Sequence, residues 1–106
     1  MKKCRITVIR KASYPDLIAR YENPMEHPCC HKEGEVFIAN GWEKPEGLCQ
    51  SAWDSMSAFV MTLAYGGSDI YSGWMKNPRS AMISCNDGFR PVSFLIEALD
   101  EEADGS

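Results

Sequence analysis

No stretch of this chain approaches the roughly 18 consecutive apolar residues of a helical membrane span, so no membrane partner is expected. The opening residues, Met1-Lys2-Lys3-Cys4-Arg5-Ile6-Thr7-Val8-Ile9-Arg10, start like a secretory leader, but Arg5 and Thr7 interrupt the apolar run and Arg10-Lys11 stop it. The expectation is a mature, cytoplasmic start. A basic surplus is missing as well. Of the 15 acidic residues, Asp100, Glu101, Glu102 and Asp104 lie in the last seven positions, leaving 11 against 11 Lys and Arg in the body. A near-neutral body has no stripe with which to neutralise phosphates, which argues against a nucleic-acid partner. There is no Cys-x-x-Cys pair, phosphate loop, nucleophile elbow or paired-carboxylate signature, so no reaction can be read from motifs.

What is present supports one core. A chain of 106 residues, 44% of them hydrophobic, is long enough for a single compact domain and too short for two. The domain is expected over 1–99, followed by an acidic flexible tail at 100–106 that frays in solvent.

Residues Lys3 to Lys11 alternate Cys4, Ile6 and Val8 against Arg5, Thr7 and Ile9, the period of a strand with one buried face. Ser13-Tyr14-Pro15-Asp16 opens a short helix in which Ser13 caps, Leu17, Ile18 and Tyr21 form the apolar stripe, and Asn23-Pro24 ends the element. Pro24 to Glu33 reads as a loop. Gly34 to Ala39 is a second strand, stopped by the turn dipeptide Asn40-Gly41.

After a loop from Trp42 to Gly47 comes the longest helix. Trp53, Met56, Val60 and Leu63, joined by Phe59 and Ala64, fall at helical spacing. Ser51 with Asp54 resembles a capping box, and Gly66-Gly67 ends the helix. A loop from Ser68 to Arg79 carries Tyr71, Trp74 and Met75. Ala81 to Cys85, Asn86-Asp87-Gly88 and Arg90 to Ala98 then form a β-hairpin, with Gly88 expected in the left-handed position and Asp87 in an Asx-type turn beside an Asp87–Arg90 ion pair. The architecture is α+β: a small, mostly antiparallel sheet of about four strands, one long helix packed on it and one short helix.

Five cysteines are many for a chain that shows no sign of an oxidising compartment. Cys4 sits on the apolar strand face and reads as a small buried hydrophobe. Cys49 stands at the start of the long helix, where orphan N–H groups and the helix dipole favour a thiolate. Cys85 precedes the hairpin turn, and Cys29 and Cys30 share a Pro-bounded loop with His27 and His31. Tetrahedral zinc accepts Cys and His in any chain order, so these positions could converge on zinc or iron, although the spacing is not that of a standard finger. The plainer reading is that the cysteines pack and the two histidines are solvated.

Taken together, Gly34-Glu35-Val36-Phe37, Pro45-Glu46-Gly47-Leu48-Cys49 with Ala52-Trp53, Gly66-Gly67 with Trp74, and Cys85-Asn86-Asp87-Gly88-Phe89-Arg90-Pro91-Val92-Ser93-Phe94 resemble a family of short uncharacterised bacterial and archaeal proteins frequent in anaerobes. The resemblance spans about Cys4 to Leu99. It implies a three-thiol pattern of Cys29 or Cys30, Cys49 and Cys85, and it carries no assigned activity. This chain departs from the pattern in its doubled Cys29-Cys30 and in Gly73, where the family has proline.

Two functions of different classes follow. The first is a small binding domain with a site at the start of the long helix, lined by Cys49, Cys85 and Cys30 or Cys29, with Trp53 and Trp74 nearby. It holds a soft metal through Cys49, Cys85 and Cys30, with His31 as an additional ligand, or uses a reactive thiol. The second is a protein-interaction module, for a protein partner or a second copy of the chain, that presents Trp42, Tyr71 and Trp74 while the cysteines only pack. An enzyme with Cys49 as nucleophile has no evident base unless His27 or His31 folds beside it.

Overall fold

The computed structural model describes residues 1–24 and 31–104. The element order is β1 (Lys2–Lys11), α1 (Pro15–Tyr21), β2 (Val36–Ala39), α2 (Gln50–Ala64), β3 (Ser80–Ser84) and β4 (Val92–Glu102). The strands form one antiparallel sheet in the order β2-β1-β4-β3, with α2 packed against β1, β3 and β4. This is the α+β class that the hydrophobic periods predict.

The alternation of β1 sends Cys4, Ile6 and Val8 into the core, where they meet Val92, Phe94 and Ile96 of β4 and Ala81 of β3. The buried stripe of α2 is Ala52, Met56, Val60, Leu63 and Ala64. Trp53 and Phe59, expected within that stripe, are only partly buried and pack against the core from its margin. A small side chain at Ala52 lets the first turn of α2 approach the sheet closely. The bulky indole one residue on, about 100° further round the helix, covers the edge instead.

Five local expectations are corrected. The N-cap of α2 is Cys49, with no Ser51–Asp54 capping box; Asp54 Oδ1 instead accepts from Gln50 Nε2 at 2.7 Å. The N-cap position of helix α1 is Tyr14 rather than Ser13, with no side-chain capping bond, and none of its residues is buried. It is held from outside by the Arg90–Glu22 ion pair and by Tyr14 N donating to Phe89 O at 2.9 Å. Arg90 thus pairs with Glu22 and not with Asp87. Gly88 is not in the left-handed region, because residues 85–91 form a wider connection in which Asp87 Oδ1 accepts from the N–H groups of Phe89 (2.8 Å) and Arg90 (3.2 Å). Finally, β4 runs on to Glu102, so the first residues of the expected tail belong to the sheet. Lys2 binds Glu102 at 2.6 Å, Lys3 binds Glu101 and Asp104, and Ala103 N donates to Met1 O at 2.8 Å.

Helix α2 ends as Gly66-Gly67 predicts. Gly66, at φ +98°, donates to Leu63 O and Gly67 donates to Thr62 O, the paired bonds of a Schellman motif. Among the described residues no helix is long and apolar enough to cross a membrane.

Candidate functional site

The residues around the start of α2 come from three separated parts of the chain. Cys49 itself adopts the extended backbone of an N-cap (φ −68°, ψ 148°), and its Sγ accepts a hydrogen bond from Ala52 N at 3.4 Å. The sulfur does what a serine or aspartate oxygen usually does, satisfying one of the orphan N–H groups of the first turn. Leu48 beside it is buried and anchors the approach to the helix.

The second part arrives through His31. Its ring is 2% exposed and stands edge-on to Phe37 (5.4 Å) and Phe94 (6.0 Å). Nε2 accepts from the backbone N–H of Cys49 at 3.2 Å, and Nδ1 lies 3.1 Å from Glu35 Oε1. An Nε2 that accepts has a free lone pair, so the proton of this neutral imidazole sits on Nδ1 and is donated to Glu35. Both ring nitrogens are therefore committed within the protein. His31 is not the solvated loop histidine of the sequence reading, and as a metal ligand it would have to give up one of these two bonds.

The third part is the β3–β4 connection. Asn86 Nδ2 donates to Ser51 O at 3.3 Å, which ties the residue after Cys85 to the first turn of α2. Cys85 N donates to Val92 O at 3.0 Å, while Val92 N returns its bond to Cys85 Sγ at 3.3 Å. Here too a sulfur takes the place of an oxygen acceptor, while the Cys85 carbonyl accepts from Ser84 Oγ at 3.0 Å.

Cys49 and Cys85 are both free thiols, half-buried against the core, and each accepts a backbone N–H. Cys4 is a different case: it is fully buried, and that burial pushes its thiol up to about 11. His27, Cys29 and Cys30 lie outside the described residues. Among the described residues no group of three or more His, Cys, Asp or Glu could hold a metal ion, so a metal bound by Cys49 and Cys85 would need a further ligand from Cys30 or Cys29.

Trp53 packs beside the helix start, but Trp74 does not join it. Trp74 stacks edge-on with Tyr71 (5.2 Å), and Tyr71 lies against Phe59 (6.3 Å), ten positions after Cys49 and so roughly 15 Å further along the helix. The loop between α2 and β3 is pinned at its base by Asp69 N to Pro78 O (2.8 Å) and by Arg79 to Gly67 O. Asp69, Tyr71 and Ser72 all have positive φ, at 53°, 56° and 46°. With α2 the loop walls a cavity of about 150 Å³ lined by Ala58, Phe59, Thr62, Ile70 and Tyr71. Trp42, the other expected surface aromatic, is also exposed.

Comparison of the chain with family models, with curated proteins and with solved structures finds no match.

Proposed function

We propose that the protein is a small binding domain whose site is the thiol-bearing start of α2, where Cys49 and Cys85, completed by Cys30 or Cys29, hold a soft metal ion such as zinc or iron. One observation supports this reading: residues adjoining two of the cysteines are each bonded to the start of α2. Cys49 N is bonded by His31, the covalent neighbour of Cys30, and Ser51 O is bonded by Asn86, the covalent neighbour of Cys85. The N–H···S bonds from Ala52 and Val92 add support, because outer hydrogen bonds of this kind orient and tune thiolate ligands.

Elemental analysis of anaerobically purified protein, with thiol titration in the native state, tests the reading. Stoichiometric zinc or iron that is lost in Cys49→Ser and Cys85→Ser supports it. Metal-free protein in which Cys49 still reacts natively turns the site into a reactive-thiol site. Metal-free protein whose Cys49 and Cys85 react only after unfolding removes both versions.

A second reading, a protein-interaction module, is favoured by the loop between α2 and β3. Three non-glycine residues in the left-handed region cost about 1–3 kcal/mol each, and the loop spends this strain while leaving Tyr71 71% and Trp74 41% exposed. Pull-down with wild-type protein and a Tyr71→Ser/Trp74→Ser variant discriminates: a partner retained only by the wild type favours this reading.

A further inference from the structure

We draw no further inference here: the strongest candidate, the apolar cavity of about 150 Å³ walled by α2 and the loop that joins it to β3, carries nothing because nothing among the described residues shows what covers it.

Discussion

His31 Nε2 accepts the backbone N–H of Cys49 at 3.2 Å, across 18 residues of chain. The bond joins a fully buried ring, itself held by Glu35, Phe37 and Phe94, to the residue that caps the longest helix. It fixes the approach to α2 at its N-cap.

His31→Ala removes the ring, leaves the Cys49 N–H without its partner, and opens a cavity between Phe37 and Phe94. The expected loss is about 2–4 kcal/mol in denaturant unfolding. Because the cap loosens, native labelling of Cys49 should also speed up. A loss below about 0.5 kcal/mol, the level of an indifferent surface change, would mean that the ring does not hold the helix start.

The N-cap role of Cys49 separates two substitutions. Cys49→Ser retains an acceptor for Ala52 N and should leave stability unchanged or slightly higher. Cys49→Ala loses the acceptor and should cost about 0.5–2 kcal/mol. Equal Tm values for the two variants would contradict the cap.

Burial at Cys4 sets an alkaline limit. Its thiol ordinarily ionises near 9.0 and is pushed up to about 11 in the fold. The folded state thus holds the proton more tightly than the unfolded state. The resulting stability is fully present below pH 9 and is lost as pH rises from about 9 to about 11, at roughly 1.4 kcal/mol per unit of pKa difference. Unfolding of the wild type measured from pH 7 to above pH 10 should fall more steeply than that of Cys4→Ala. Parallel curves would show that Cys4 ionises as easily folded as unfolded.

On α2, position relative to the core decides cost. Met56 is fully buried, and Met56→Ala should cost about 2–5 kcal/mol. Trp53, at the margin, should cost less on truncation than the full 3–5 kcal/mol of a buried tryptophan. Urea midpoints of the two variants give the order, and a larger loss for Trp53→Ala would move the indole into the core.

The parts of this fold legible in the sequence are those written as periodic burial. Cys4, Ile6 and Val8 give β1; Met56, Val60 and Leu63 give the face of α2; Val92, Phe94 and Ile96 give β4. Cys49 and Cys85 also stand out, because each sits at the end of an element. The role of His31 does not: a side chain bonding a distant backbone N–H leaves no periodic trace, and its loop composition suggests solvent. The cap at Cys49 was hidden by Ser51 and Asp54, the residue types that usually cap. The acidic tail misleads for a related reason. Glu101 and Glu102 are paired with Lys3 and Lys2, a neutralisation that depends on β1 lying beside β4.

The central claim is that Cys49 and Cys85 belong to one thiolate site. Cobalt(II) loading of the reduced protein tests it most directly, because sulfur-to-cobalt charge-transfer absorption grows with the number of thiolates bound. The account predicts a stoichiometric cobalt complex with strong charge-transfer bands, weakened by one thiolate in Cys49→Ser and again in Cys85→Ser, and unchanged in Cys4→Ala. Cobalt that binds without charge-transfer absorption, or bands indifferent to both Cys49→Ser and Cys85→Ser, would contradict it.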